Sequence, residues 1–466
     1  MNYEEIRKKA YAAYNECSRL QEYLNASASL IDPESQLAEL EKLSCDLPLY
    51  GEPVAVKDNV CTKIADTTAS SGILQGFRPV YDAHITTLLH DAGAVMVAKT
   101  SMDELAMGGT NLSAFTGPVN NPYDLNRVSG GSSGGSATLV AAGAVRYAIG
   151  SDTGDSVRKP ASYCGVIGVK PTYGRISRYG VIPYASSLDT VGYFTLNVKD
   201  AAKMLKVLAG RDDRDMTSSY EPVPDYSANL NTDLTGKKIA VFGNVYDAIE
   251  PGEVKESLDR VIDGLRKKGA AIEFVRMDPV LAESCMAVYF IISNCEASSN
   301  HSNLDGTRFG LQKEADSFTQ IMMKSRTDGF SHFVRKKLLI GSYGLYEDNR
   351  EEIFVKAQKV RRLIVEEYHR MCEGYDVLIA PACPHGAPLK SEAENAPLSD
   401  RIEDNHMILT NFSGDPSMSV PMGFEKGMPV GLLISAKAFD EAGMFRVAAA
   451  VEEITGFKDT VREVGK

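Results

Sequence analysis

Apolar and polar residues alternate along the chain with two periods, near 3.6 and near 2, in an order that mixes helices with strands from end to end. Apolar positions three and four apart predict helices over 3–26 and 33–44, the second opening after Asp32-Pro33. Pro53 to Val56 is a short continuous apolar run and predicts a strand that ends at Lys57. A helix Ile85–Ala92, a strand Ala94–Lys99 and a short helix Met102–Met107 follow. After the turn-forming Asn120-Asn121-Pro122 come a helix Ser136–Ala142, strands Val145–Gly150 and Val166–Val169, and a helix Lys199–Ala209.

The second half starts with a strand–helix–strand pattern, Lys237–Val241, Glu253–Lys268 and Ala271–Val275. Residues 280–372 are mostly helical by periodicity, and the last helix there, Arg350–Met371, ends near Gly374. A strand Asp376–Pro381 is followed by a polar, mobile loop over 385–400, rich in Pro, Glu, Ala and Ser. A helix Ile402–Phe412, neighbouring strands Ser417–Pro421 and Val430–Ser435, and a helix Glu441–Ile454 close the pattern. Strands interleaved with helices throughout predict the α/β class. No internal repeat and no separating linker stands out, so residues 1–466 are expected to form one large domain. It would hold the N-terminal helices (3–44), the loop region 53–190 and the helical region 280–372.

Composition narrows the function classes. Hydrophobic content of 44% and charged content of 24% are ordinary for a globular chain of 466 residues. No run reaches the ~18 consecutive apolar residues of a membrane span. The opening MNYEEIRKKAYAAYNECSRL has no apolar core of a secretory signal, so a cytoplasmic protein off the membrane is expected. Eight scattered cysteines (17, 45, 61, 164, 285, 295, 372, 383) with no C-x-x-C read as free thiols and give no zinc spacing, so no metal site is expected. A net charge of −12 argues against this chain gripping a phosphate backbone by itself.

Candidate chemistry concentrates in one stretch. Arg127 to Pro160 reads RVSGGSSGGSATLVAAGAVRYAIGSDTGDSVRKP. Gly130, Gly131, Gly134 and Gly135 bracket Ser132 and Ser133, and a second small-residue loop runs from Ser151 to Ser156. Linkers are polar throughout. These loops instead flank apolar sequence, so they point to a site built from backbone N–H groups and hydroxyls that glycine lets come close. Two familiar motifs match by letter. Gly131-Ser132-Ser133-Gly134-Gly135 fits G-x-S-x-G with Ser133 as nucleophile, but Asn126-Arg127-Val128-Ser129 is a poor strand to precede it. Ser156-Val157-Arg158-Lys159 fits S-x-x-K, but its companion Ser151-Asp152-Thr153 lies on the wrong side of the serine.

SGGSSGGSA, then GSDTGDSVRKPASYCGVIGVKPTYGRIS, and upstream GEPVAVKDNV, resemble the amidase signature family. The spacing of 75 from Lys57 to Ser132 and of 24 from Ser132 to Ser156 fits that family's catalytic set. The resemblance runs from about residue 10 to the C-terminus. NCEASSNHSNLDGTRFG, KAQKVRRLI and the VPMG…MPVGLLI segment resemble the A-subunit branch, found in glutamyl-tRNA(Gln)/aspartyl-tRNA(Asn) amidotransferases.

The resemblance implies a mixed central β-sheet surrounded by α-helices and a Ser–cisSer–Lys triad. Ser156 would be the nucleophile, Lys57 the general base, and Ser132, preceded by a cis peptide, the relay between them. Backbone N–H groups of Thr153, Gly154, Asp155 and Ser156 would form the oxyanion hole. Ser133 and Arg158 would orient the loops, and Tyr289, Lys337 and Asp404 would hold the α-groups of glutamine. It further implies a heterotrimer with B and C subunits. The B subunit would hold mischarged tRNA and use ATP and Mg²⁺ on it, with no cofactor in this chain. The ammonia would convert Glu-tRNA(Gln), Asp-tRNA(Asn) or both. A stand-alone amidase on a small carboxamide, or a weakly active scaffold copy, are the alternatives.

This chain departs from the family pattern at Asp155, where glycine is usual, at Lys159 and Lys337, and at Asp415. Asp155 threatens the chemistry most. A carboxylate ~5 Å from a developing oxyanion costs roughly 3 kcal/mol at an effective dielectric of ~20. Asp155 and Lys159 are four apart, and a helical segment there would let them pair.

Overall fold

The computed structural model describes residues 3–228, 230–394 and 396–465. Among them, eleven strands form one sheet. In chain order these are β1 Ser27–Leu30, β2 Pro53–Lys57, β3 Val95–Thr100, β4 Tyr147–Asp152, β5 Ile167–Lys170, β6 Thr190–Thr195, β7 Lys238–Phe242, β8 Ala271–Val275, β9 Val377–Pro381, β10 Ser417–Glu425 and β11 Met428–Ala436. Their order across the sheet is β1-β3-β2-β4-β6-β5-β10-β11-β9-β7-β8. β3-β2-β4 and β9-β7-β8 are parallel, and the strands between them pair antiparallel. The sheet is therefore mixed, with helices packed around it.

Every residue of β2, β3 and β4 is buried. Alternate side chains go to opposite faces, and each face has its own core. Val54 and Val56 join one apolar cluster with Tyr147 and Ile149, while Ala55 joins another with Ala148. A strand covered on both faces reads as continuous apolar sequence, which is why Pro53–Val56 was legible. The helix Pro279–Asn300 is long and apolar, with a mean hydropathy of 1.3 over its best window. It packs against the helices His332–Leu345 and Lys356–Met371.

Several expected elements differ. The first helix stops at Leu24, Asn25 turns with φ 50°, and β1 follows as a four-residue edge strand, Ser-Ala-Ser-Leu, too short for its alternation to stand out. β6 was also not expected. Gly192 interrupts its apolar pattern, and a Cβ there would lie 2.4 Å from the Val169 carbonyl oxygen of β5. The helix Met102–Met107 is only a 3₁₀ turn, Glu104–Ala106, because Leu105 and Ala106 take positive φ. Ile402–Phe412 is broken into Ile402–Asn405, a 3₁₀ turn His406–Ile408, and Leu409–Ser413. The segment 385–400, expected as a loop, carries a short helix Lys390–Glu394 and is tied to the serine-rich stretch: Val128 N donates to Pro388 O, and Lys390 N to Asn126 O.

Candidate active site

β2 and β4 are parallel neighbours, and both end at the same edge of the sheet. Lys57 is the last residue of β2, and the turn Thr153–Ser156 follows directly on β4. Ser132 and Ser133 lie just before the helix Gly134–Ala141. The carboxyl ends of adjacent parallel strands, with a helix N-terminus opposite, make a natural crevice for chemistry. The Gly131–Ser132 peptide is cis. A Cβ on Gly131 would fall 2.0 Å from Asp103 Oδ2, so only glycine fits there. Ser133 N donates to Ser156 O at 3.2 Å and joins the two serine loops.

Lys57 Nζ lies 2.7 Å from Ser132 Oγ and also contacts Ser151 Oγ at 2.9 Å. Its side chain is fully buried. Burial lowers its pKa to about 7, against the pull of Asp103, Asp152, Asp189 and Asp155. The lysine is thus neutral in a large fraction of molecules at physiological pH, and a neutral lysine can accept a proton. Ser133 Oγ is bonded to the Ser151 carbonyl at 3.1 Å, which suits an orienting residue rather than a nucleophile.

Among the described residues, the N–H groups of Thr153, Gly154, Asp155 and Ser156 have no acceptor. They form a turn ahead of the helix Arg158–Cys164 and are available to an oxyanion. Arg158 locks that turn. It is fully buried, and its Nε and Nη2 grip Asp152 at 3.0 and 2.7 Å. Nη2 also reaches Gly154 O at 2.8 Å, and Nη1 reaches Met407 O at 2.7 Å. Burial alone would raise the Asp152 carboxyl, but Arg158 and Asn411 bring it below its ordinary value.

Asp155 is ion-paired with Lys159, and Lys159 N closes the turn on Asp155 O at 2.8 Å. Asp155 has no positive φ, so the strain that glycine usually relieves is absent. Lys159 is thus engaged by Asp155, and its pKa is raised by that carboxylate against the effect of burial. Burial raises the Asp155 carboxyl while Lys159 opposes the rise.

The expected substrate residues lie around this pair. A Cβ on Gly154 would touch the Tyr289 ring at 2.9 Å, so Tyr289 covers the turn. Lys337 Nζ is bonded to Met107 O at 2.5 Å, and burial lowers its pKa to about 8 while Asp103 and Asp155 raise it. Asp404 accepts from Ser399 Oγ at 2.5 Å, and its charge acts on Lys159.

The chain matches the Amidase family over residues 10–445. The chain belongs to the amidase family. Its sequence is 42% identical over 435 residues to the A-subunit of glutamyl-tRNA(Gln) amidotransferase from Exiguobacterium sp., covering 93% of this chain and 90% of that one. The crystal structure of the same protein from Thermotoga maritima superposes with a TM-score of 0.83 at 34% identity, over 100% of this chain and 98% of that one. A peptide amidase from Stenotrophomonas maltophilia superposes with a TM-score of 0.80 at 29% identity, over 98% and 95%.

Three further residues lie at the candidate site. Ser151 and Asp152 lie within the small-residue loop that ends at Ser156, which is the signal that points to them. Asp189 had none nearby. It accepts from Thr153 Oγ1 at 2.7 Å across the sheet, and burial pushes its carboxyl up to about 6.

Proposed function

We propose that this protein is the glutamine-hydrolysing component of a tRNA-dependent amidotransferase. The observation that carries the reading is the fully buried Lys57 with its amine 2.7 Å from Ser132 Oγ. Ser156 attacks the side-chain carboxamide of glutamine while Ser132 passes its proton to neutral Lys57. The N–H groups of residues 153–156 receive the oxyanion. Lys57 returns the proton through Ser132 to the nitrogen, ammonia leaves, and water hydrolyses the glutamyl-enzyme by the same relay. Lys337 takes the α-carboxylate and Asp404 the α-ammonium, with Tyr289 closing over the turn.

The resemblance to the amidotransferase proteins of Exiguobacterium and Thermotoga supports a cytoplasmic heterotrimer in which ammonia goes to a B subunit, braced by a C subunit. The B subunit holds the mischarged tRNA and uses ATP and Mg²⁺. The acidic net charge of −12 suits a chain that leaves RNA to its partner.

The test is ammonia release from glutamine by the purified chain, alone and with B and C subunits, ATP and mischarged tRNA, with Ser156→Ala as blank. Release that rises strongly in the full mixture and vanishes in the variant is expected. Equal release from simple carboxamides, indifferent to partners, would instead favour a stand-alone amidase. Lys337 and Asp415, where this chain departs from the family pattern, are the features that motivate this second reading.

A further inference from the structure

A cavity of about 210 Å³ reaches Ser151 and Asn59, and neither Ser132, Ser156, Tyr289 nor Lys337 lines it. It is distinct from the substrate wall, and Met216, 87% exposed, stands at its mouth. Asp189, Asp215, Arg178 and Arg214 are the charged groups that face it. Asp103, Asp152, Asp189 and Asp155 are those that act on Lys57.

Hydrogen counting at Lys57 links the amine to this space. A neutral amine has one lone pair and two hydrogens. With the lone pair toward the Ser132 hydroxyl, the two hydrogens go to Ser151 O at 3.3 Å and Ser151 Oγ at 2.9 Å. Ser151 Oγ also accepts from Asn59 Nδ2 at 3.1 Å. Both of its lone pairs are then filled, and among the described residues its own hydrogen has no acceptor. Asn59 Oδ1 is buried and has no hydrogen-bond partner, and Asn59 itself is 2% exposed. An unpaired donor and an unpaired acceptor beside one cavity match what a bound water needs.

The proposed reaction creates a demand for such a site. Amide plus water gives carboxylate, ammonia and one proton. Lys57 hands one proton to the departing nitrogen and later one to Ser156 Oγ. The new carboxylic acid is a far stronger acid than the lysine, so its proton passes through the serines to Lys57 and leaves a carboxylate. Lys57 must lose that proton before the next turnover, and its side chain has no exposure to solvent.

We propose that this cavity is a water-filled proton exit for the catalytic base, and that Ser151 and Asn59 are the positioning residues that tie Lys57 to it. The Lys57 ammonium gives its proton to Ser151 Oγ as the Ser151 hydrogen moves to the cavity water, which passes it to bulk solvent. This rests on the amide-hydrolysis reading given above.

Three variants test it: Ser151→Ala removes the hydroxyl, Ser151→Thr keeps it, and Val181→Trp fills the cavity without touching any bond of Lys57. The readouts are kcat, KM and the solvent deuterium isotope effect on amide hydrolysis. Ser151→Ala and Val181→Trp are expected to lower kcat about fivefold or more with KM within about twofold and a larger isotope effect. Ser151→Thr is expected to stay near the parent. Should Val181→Trp fail to fold, the contrast between alanine and threonine at 151 decides. Parent values of kcat and isotope effect in folded Val181→Trp, or equal behaviour of alanine and threonine, would overturn the proposal. A parent protein that hydrolyses no amide would instead overturn the amidase reading beneath it.

Discussion

The Asp155 carboxylate is ion-paired with the Lys159 ammonium four residues on, in the turn that ends at Ser156. The pair answers the question that an acid next to the proposed oxyanion hole raises. Facing an oxyanion alone, Asp155 would cost roughly 3 kcal/mol, about a hundredfold in rate. Turned to Lys159, it presents a nearly neutral group instead. Lys159→Gln is therefore expected to lower kcat about tenfold or more, Asp155→Gly to change it less, and the double variant to return close to the parent. Strictly additive effects in this cycle would show that the two residues act independently.

Burial of Lys57 carries a stability cost with a definite pH signature. In the unfolded chain it holds its proton up to about 10.5, in the fold only up to about 7. The unfolded state binds more protons between those values, so this group makes stability rise with pH across that window, level off above it, and stay at its lowest below about 7. Lys57→Met is expected to abolish activity yet raise the melting temperature by a few degrees at pH 7, with the gain shrinking by pH 10. A melting temperature lowered equally at both values would mean that the hydrogen bonds of Lys57 outweigh its desolvation.

In the proposed reading, Lys337 holds the α-carboxylate of glutamine and takes no part in the proton transfers. A charge-assisted hydrogen bond to the α-carboxylate contributes about 1.5–3 kcal/mol. Lys337→Ala is expected to raise KM for glutamine about tenfold to a hundredfold with kcat nearly kept. The KM of an amide that lacks a carboxylate should stay where it was. Steady-state kinetics on the two substrates checks this, and equal losses on both would move Lys337 out of the recognition role.

The legibility of the chain follows from physics that acts over short or long range. That Lys57 and the two serine loops meet in one place could be anticipated because glycine-rich turns and a continuously apolar strand are local in sequence. β2, β4 and β9 were visible for the same reason, being buried on both faces. β1 was not, because Ser27–Leu30 alternates polar and apolar residues over only four positions, too short a pattern to stand out directly after a long helix. The Arg158 network was half visible. Asp152 is close by, but Met407, Thr410 and Asn411 arrive from some 250 positions away through a broken helix that the sequence pattern presents as continuous. Asp189 depends on the pairing of β4 with β6, so without that strand its contact with Thr153 had no foundation.

In the proposed mechanism, neutral, buried Lys57 activates Ser156 through Ser132. The most direct measurement is the pH dependence of kcat/KM for glutamine hydrolysis from pH 5 to 9, with Ser156→Ala as blank. A tenfold rise per pH unit on the acid side, a bend near the lysine value of about 7 and a plateau above it are expected. A flat profile from pH 6 to 9, with Ser156→Ala still inactive, would contradict a lysine base.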